Sequence, residues 1–316
     1  MKIAIVTPAP RGSRHGNRTT ALRWRTLLGS LGHRVSVVES WHGQPADLLI
    51  ALHALKSAGS MERFRGERPG RPLILALTGT DLYRELEHSA RARRSLVLAD
   101  RLVVLQPLAL ERLDLKARAK AQVIYQSVAA RPRLRPARRG FEALVLAHLR
   151  AVKDPLLPAR AARLVPRESR LAIIHLGAAT SSVWAGRARA AERASPRYRW
   201  LGDLPRARAL ALLGRARLLI VPSRAEGGAN VVSEAIACAT PVLASRIEGN
   251  LGLLGESYPG YFEPADARGL ARLLWRAESE AAFAAQLARA VRRLRPLVGP
   301  ARERAAWRRT LAGLGV

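Results

Sequence analysis

One stretch constrains the fold of this chain more than any other: LLIVPSRAEGGANVVSEAIACATPVLAS, which starts at Leu218. Its opening apolar run is typical of a strand that is buried on both faces of a parallel sheet. After a loop that contains Gly227 and Gly228, the pattern predicts a helix over Val231–Ala239 and a strand over Val242–Ser245. Glycines between a strand and a helix indicate backbone that approaches another group closely. The stretch therefore predicts a strand–loop–helix–strand unit of an open α/β sheet.

Two carboxylates in this stretch, Glu226 and Glu234, are separated by seven residues. Both are expected at the carboxyl end of the sheet, where open α/β sheets bind ligands. The helix N-terminus, with Asn230 as the expected N-cap, suits a diphosphate, and carboxylates accept hydrogen bonds from sugar hydroxyls. The pattern predicts a nucleotide-sugar site, and a plain crossover with a solvated Glu234 is the alternative. The donor-binding candidates in the loop are Gly227, Gly228, Ala229 and Asn230.

The segment PSRAEGGANVVSEAIACATPVLAS resembles the Glu-x7-Glu signature of retaining, nucleotide-sugar-dependent glycosyltransferases of family four, departing from it at Gly228 and Cys238. The resemblance implies an α/β chain with the GT-B fold, in which two Rossmann-like, doubly wound parallel-sheet domains face a central cleft. We expect an N-terminal acceptor domain over 1–135 and a C-terminal nucleotide-sugar donor domain over 136–295. The last segment, 296–316, is expected to be a helix that crosses back to the N-terminal domain.

Composition and charge favour an intracellular enzyme. The net charge is +30, but arginines are spread along nearly every predicted helix, and aromatic residues, 5% of the chain, do not interleave with a basic stripe. We therefore predict no specific nucleic-acid partner, and a non-catalytic nucleic-acid-binding protein is the less favoured alternative. No apolar run reaches transmembrane length, no signal peptide is evident, and Cys238 is the only cysteine, so we expect a cytoplasmic protein.

Two segments of the first domain carry candidate site residues. The loop after the first predicted strand, Lys2–Thr7, ends in a group of polar and basic side chains: Arg14, His15, Asn17 and Arg18. They predict an acceptor site for an anion, with a solvated basic loop as the alternative. The fourth predicted strand runs into Thr78-Gly79-Thr80-Asp81, where Thr80 and Asp81 are also good helix caps. The resemblance implies that Thr78 and Asp81 lie near the donor sugar.

The second domain is expected to start after the Pro- and Arg-rich linker RPRLRPARRG, residues 131–140. In the family, the turn after the next strand carries an Arg and a Lys that hold the donor diphosphate. Lys153 falls on that Lys, whereas His148 takes the place of the Arg, with Arg150 two residues further on. Either Arg150 replaces the missing cation or His148 has a different role. Residues 246–255, RIEGNLGLLG, predict a loop that approaches a ligand or forms a surface turn.

Four segments, TPAPRGSRHGNRTTALRW, LTGTDLYREL, HLRAVKDPLL and SRIEGNLGLLG, resemble the bacterial selenosugar synthases of selenoneine biosynthesis. The resemblance implies that UDP-N-acetylglucosamine or UDP-glucose is the donor, that selenophosphate is the acceptor, and that a Se–C bond forms as UDP leaves. An ordinary glycosyltransferase with a hydroxyl acceptor is the alternative. The residues expected to be catalytic are Glu226, Lys153, Arg150, Asp81 and His15.

Binding roles follow from the same resemblance and from the charges. Glu234 is expected to bind ribose hydroxyls and Glu226 sugar hydroxyls. The basic residues Arg14 and Arg18, with His15 and Asn17, are expected to hold the acceptor. We predict no metal and no cofactor, because no His, Cys or Asp cluster has metal-ligand spacing.

Overall fold

The computed structural model describes residues 1–129, 133–134 and 140–315. The chain divides into two compact units. The first unit comprises Met1–Ser127, Glu226–Asn230 and Pro300–Val316, and the second comprises Val128–Ala225 and Val231–Gly299. Most of the predicted linker, residues 131–140, lies outside the described residues.

The first unit contains a parallel sheet with the strand order β2-β1-β3-β4-β5-β6. Its strands are β1 (Lys2–Val6), β2 (Arg34–Val38), β3 (Leu48–Leu52), β4 (Leu73–Ala76), β5 (Arg101–Val104) and β6 (Ala121–Val123). The helices that follow them are α1 (Gly16–Gly29), α2 (Ala58–Glu67), α3 (Leu86–His88), α4 (Ala90–Leu98) and α5 (Leu115–Ala119). Every residue of β3 is fully buried, as expected for a central parallel strand that is covered on both faces.

The second unit contains another parallel sheet, with the order β12-β11-β10-β7-β8-β9. Its strands are β7 (Phe141–Leu146), β8 (Leu171–Leu176), β9 (Tyr198–Trp200), β10 (Leu218–Val221), β11 (Val242–Ser245) and β12 (Tyr261–Phe262). The helices are α6 (Leu157–Ala162), α7 (Ser182–Ala194), α8 (Arg206–Arg215), α9 (Asn230–Ala237), α10 (Glu248–Leu254), α11 (Ala267–Ser279) and α12 (Ala281–Arg293). The strand–loop–helix–strand unit predicted around β10 is present, with the helix starting at Asn230 and ending at Ala237.

The prediction of a loop over residues 246–255 is wrong, because helix α10 occupies most of this segment. Leu253 and Leu254 are buried, at 2% and 4% exposure. Burial of these leucines outweighs the low helix propensity of the glycines in this segment. Gly255, with a φ of +85°, ends the helix.

The last helix, α13 (Pro300–Ala312), belongs to the first unit. Its Trp307 is fully buried and meets Trp24 of α1 edge to face, with ring centroids 4.8 Å apart. The two rings join a core that includes Ile3, Ile5 and Ile50. Helix α13 therefore contributes core to a unit that begins nearly 300 residues earlier in the sequence.

Candidate functional site

In the described part of each sheet, the strand order reverses between two neighbouring strands: β1 and β3 in the first unit, β7 and β10 in the second. Open α/β sheets bind ligands outside the carboxyl ends of the strands at such positions. The predicted site residues follow these strands in the chain. Arg14–Arg18 follow β1, His148–Lys153 follow β7 and Glu226–Asn230 follow β10.

The turn after β4 is held together by Asp81, whose side chain is fully buried. Its carboxylate accepts hydrogen bonds from the backbone N–H groups of Thr78 (2.9 Å), Gly79 (2.7 Å) and Ala54 (3.1 Å). The Asn17 side chain donates to the hydroxyl of Thr78 at 3.3 Å. Asp81 thus joins the segments that follow β3 and β4, and its carboxylate faces protein backbone.

Residues Glu226–Asn230, which we call the signature loop, pack tightly against this turn. A Cβ atom added to Gly227 would lie 2.5 Å from the carbonyl carbon and oxygen of Thr78, and one added to Gly228 would lie 2.6 Å from Cβ of Leu105. A Cβ added to Gly79 would lie 2.8 Å from the backbone nitrogen of Gly227. The close approach that the glycines predict is therefore an approach to protein. Within this loop, Glu226 is half-buried and Ala229 is 4% exposed.

Arg18 is the unusual member of the basic group at the start of α1. Arg14 and His15 are exposed, whereas Arg18 is only 8% exposed. Among the described residues, no hydrogen bond or ion pair engages its side chain, and its Nε is shielded from solvent. The residues outside the described ranges include no Asp or Glu, and the first turn of α1 has no acidic residue. The hydroxyl of Ser13 is likewise buried without a partner in the described chain. A guanidinium that is largely buried and has no anionic partner favours an anionic ligand.

In the second unit, His148 follows β7 and accepts a hydrogen bond at Nδ1 from the backbone N–H of Ala178 at 3.0 Å. A neutral imidazole in this tautomer carries its proton on Nε2, so His148 presents a donor there. Arg150 is exposed, and Lys153 ends a short 3₁₀ helix, Ala151–Lys153.

The turn that carries Lys153 is fixed from the end of β10. Asp154, in the left-handed region with a φ of +39°, accepts hydrogen bonds from Nε and Nη2 of Arg224 at 3.2 and 3.1 Å. The backbone N–H of Arg224 donates to the carbonyl of Val152 at 2.8 Å. The segments after β7 and β10 therefore hold each other in place.

Glu234, on α9, is 6% exposed and forms an ion pair with Arg206. Its Oε1 lies 2.5 Å from Nη2 of Arg206, the first residue of α8. The guanidinium of Arg206 favours the ionised form of this buried carboxylate, whose oxygens accept hydrogen bonds. The solvated Glu234 of the alternative reading is thus not observed.

Residues 130–294, just over half of the chain, match the family model of the glycosyl transferases group 1. The chain belongs to this family. It is therefore a nucleotide-sugar glycosyltransferase, as the signature around Glu226 and Glu234 predicts. No curated protein sequence matches the chain.

Solved structures show that the glycosyltransferase has the predicted GT-B fold. A crystal structure of HepE from Anabaena in complex with UDP and glucose is similar, with a TM-score of 0.78 and 16% identity over 99% of this chain and 100% of that one. Sucrose-phosphate synthase from Thermosynechococcus elongatus has a TM-score of 0.79, with 16% identity over 99% of this chain and 98% of that one. A glycosyltransferase from Rickettsia africae has a TM-score of 0.72, with 13% identity over 99% of this chain and 97% of that one.

Sequence reasoning missed two buried histidines of the glycosyltransferase. His175, on β8, donates from Nε2 to the carbonyl of Ala147 at 2.8 Å and accepts at Nδ1 from the hydroxyl of Tyr198 at 2.7 Å. Burial lowers the pKa of His175 to about 4, so the ring is neutral at pH 7. It anchors the backbone just before His148.

The other missed histidine is His53, directly after β3 at the point where the strand order of the first sheet reverses. It is 2% exposed and has a φ of +79°, which is unusual for a residue other than glycine. Its Nε2 lies 3.1 Å from the hydroxyl of Thr80, and its Nδ1 lies 3.5 Å from a carboxylate oxygen of Glu85. The only sequence signal for His53 is its position at the end of an apolar run.

Among residues 1–129, 133–134 and 140–315, no three His, Cys, Asp or Glu side chains are grouped so that they can hold a metal ion. In the same ranges, no helix combines the length and the apolar character that crossing a membrane requires.

Proposed function

We propose that this glycosyltransferase transfers N-acetylglucosamine from UDP-N-acetylglucosamine to the selenium of selenophosphate. The C–O bond to UDP breaks, a Se–C bond forms at the anomeric carbon, and UDP leaves. The choice of a UDP-sugar is supported by the solved complexes of Anabaena HepE with UDP and with UDP-glucose. The proposal extends the resemblance of the loops after β1, β4 and β7 to the selenosugar synthases.

The observation that carries the choice of acceptor is the buried side chain of Arg18. It lacks an anionic partner in the described chain and lies in the first turn of α1, where the helix dipole also favours an anion. Burying much of a cation without a partner is unfavourable, so a site of this kind suits a charged ligand. Selenophosphate is a small anion, whereas a sugar hydroxyl carries no charge for Arg18 to bind.

The chemistry of the acceptor agrees with the residues. The selenium of selenophosphate is already anionic, so it needs no general base. It needs cations that offset its repulsion from the diphosphate, and it needs positioning at the anomeric carbon. In the proposal, Arg18 and Arg14 provide cations near the acceptor, and His15 and Asn17 help to position it.

The proposed donor roles of Lys153 and Arg150 follow the resemblance, whereas those of His148, Asp81 and Thr78 are inferred from the contacts described above. Lys153 and Arg150 neutralise the diphosphate, and His148 donates from Nε2 to a phosphate oxygen. Glu234, ion-paired with Arg206, accepts from the ribose hydroxyls. Glu226, in the signature loop, accepts from the sugar hydroxyls. Asp81 and Thr78 act by fixing the turn that supports this loop.

The experiment that tests the proposal measures UDP release from UDP-N-acetylglucosamine with selenophosphate, with orthophosphate, and with no acceptor, together with mass spectra of the products. Selenophosphate-dependent release and a selenium-bearing hexosamine are expected. Release that does not depend on selenophosphate would retain the transferase and exclude this acceptor. No release with UDP-N-acetylglucosamine, UDP-glucose or any acceptor would overturn the proposal.

A matched pair of variants tests the role of Arg18. Arg18→Met removes the buried charge but keeps a long side chain, and it is expected to raise the KM for selenophosphate by at least tenfold. Because a largely buried charge without a partner is also removed, the ligand-free protein is expected to become more stable. Arg25→Met, on the exposed face of the same helix, is the control. An unchanged acceptor KM in Arg18→Met would contradict the role.

A further inference from the structure

A buried polar network in the first unit centres on Glu303 of α13. The Glu303 side chain is fully buried, and its carboxylate accepts hydrogen bonds from Nε1 of Trp24 (2.8 Å), the backbone N–H of Ser127 (3.0 Å) and the Ser127 hydroxyl. Its remaining partner is Arg23, whose Nε lies 3.2 Å from Oε2. A carboxylate that is this fully engaged sets the position of the guanidinium beside it.

Arg23 uses all three of its nitrogen atoms in this network. While Nε donates to Glu303, Nη1 donates to Oδ1 of Asn230 at 3.0 Å and Nη2 donates to Oε1 of Gln126 at 2.7 Å. The planar guanidinium fixes the angle between these three bonds, which a flexible amine cannot do. Arg23 thus links Glu303 of α13 by hydrogen bonds to Asn230, the last residue of the signature loop.

Gln126 provides a second hold on the loop. Its Oε1 accepts from Arg23 and from the hydroxyl of Thr20 at 2.7 Å, which leaves Nε2 to donate to the carbonyl of Gly228 at 2.8 Å. Because the oxygen accepts two donors, the amide orientation is determined by the network. The signature loop is therefore held at two of its residues, Gly228 and Asn230.

We propose that Arg23, Gln126 and Glu303 are positioning residues that set the backbone of the signature loop for binding of the nucleotide-sugar donor. This inference rests on the proposed function, in which the loop binds the donor. Helix α13 acts through the network: Glu303 orients Arg23, and Arg23 with Gln126 holds Asn230 and Gly228. None of the three needs to touch the substrate.

The distribution of bonds explains why these residue types are required. Lysine in place of Arg23 has one nitrogen and cannot reach Glu303, Asn230 and Gln126 together. Glutamine in place of Glu303 presents an amide –NH₂ to donors and removes the charge that Arg23 faces. Either change frees the loop while the apolar core around Trp307 stays in place.

The first readout is the backbone mobility of the loop, measured by amide hydrogen exchange on the peptide that spans residues 226–230. Arg23→Lys and Glu303→Gln are expected to exchange there at least tenfold faster than the wild type. The matched control is Arg25→Lys, on the exposed face of the same helix, which is expected to exchange like the wild type. Equal exchange in Arg23→Lys and Arg25→Lys would overturn the inference, whatever the protein's substrate.

The second readout separates positioning from stability by steady-state kinetics with UDP-N-acetylglucosamine. Partial unfolding lowers the apparent kcat but leaves the donor KM of the folded molecules unchanged. We expect a donor KM at least tenfold higher in Arg23→Lys and an acceptor KM within about threefold of the wild type. A lower melting temperature with an unchanged donor KM would show that the network only stabilises the fold.

A milder variant serves if the first two fail to fold. Gln126→Met keeps the length of the side chain and deletes the donor to Gly228, and it is expected to raise loop exchange and donor KM together. If the wild type releases no UDP but Arg23→Lys still accelerates exchange at 226–230, the proposed function fails and the positioning of the loop stands. If the wild type turns over and all three variants match Arg25→Lys in both readouts, the positioning inference fails alone.

Discussion

Replacing Gly227 by alanine introduces a methyl group where the protein has no room for it. The new Cβ would lie 2.5 Å from the carbonyl carbon and oxygen of Thr78 and 2.7 Å from the backbone nitrogen of Gly79. Gly227 does not have a left-handed φ, so alanine fits the backbone conformation and the effect is steric. Because the atoms in contact are backbone atoms of a turn fixed by Asp81, no side chain can rotate away.

The size of the clash sets the expected effect. The loop and the turn must separate by about 0.9 Å to bring the Cβ from 2.5 Å to an ordinary contact of 3.4 Å. Overpacking of this kind costs about 1–3 kcal/mol. For a unit of about 150 residues, this lowers the melting temperature by about 2–12 °C. With the loop in its proposed place in the donor site, a displacement near 1 Å is expected to reduce kcat/KM by about 100-fold.

The assay compares Gly227→Ala with Gly186→Ala in thermal unfolding and in UDP release. Gly186 lies on the exposed face of α7 with nothing within 4 Å of an added Cβ, so its replacement is expected to stabilise the helix by about 0.5–1 kcal/mol. A Gly227→Ala protein as stable and as active as Gly186→Ala would refute the close packing of the loop against the turn.

Two further predictions concern buried polar groups. In a urea titration, Asp81→Asn should lower the free energy of unfolding by about 1–3 kcal/mol, because an amide cannot accept from three backbone N–H groups. The control Asp114→Asn, at the N-cap of α5, should leave the free energy of unfolding nearly unchanged. The pKa of His175 is about 4 in the folded protein and 6.5 in the unfolded chain. Between pH 6.5 and pH 4 the unfolded chain therefore binds more protons than the folded protein. The free energy of unfolding falls as the pH drops through this range, by about 3 kcal/mol in all. His175→Gln should remove this part of the pH dependence. The free energy of unfolding is measured by urea titration at pH 7, 5.5 and 4.5, and a variant whose free energy falls with pH as steeply as that of the wild type would contradict the prediction.

The elements that could be predicted from the sequence are those whose burial leaves a local pattern. Strands β3 and β10 are apolar at every position because they are covered on both faces, and the predicted α/β class and GT-B fold are confirmed. Helix α10 was missed because Gly249, Asn250 and Gly252 oppose helix by propensity, and the burial that outweighs them depends on contacts distant in sequence.

The contacts of the candidate site were harder to predict for a different reason. Arg23 and Glu303 are 280 residues apart, and nothing in either segment marks the other as its partner. With 54 Lys and Arg residues in the chain, neither Arg23 nor Arg206 stands out from its neighbours. The burial and missing partner that distinguish Arg18 from Arg14 are likewise invisible without coordinates.

The place of α13 in the first unit has a consequence for biosynthesis. The ribosome makes residues 1–127, then 172 residues that mostly belong to the other unit, and only then the helix that brings Trp307 and Glu303. At about 5–20 residues per second, this interval lasts about 10–30 s. During it, Trp24 lacks the ring that covers it and Arg23 lacks its carboxylate. The second unit has all its residues first, so the part of the chain translated earliest is the part completed last.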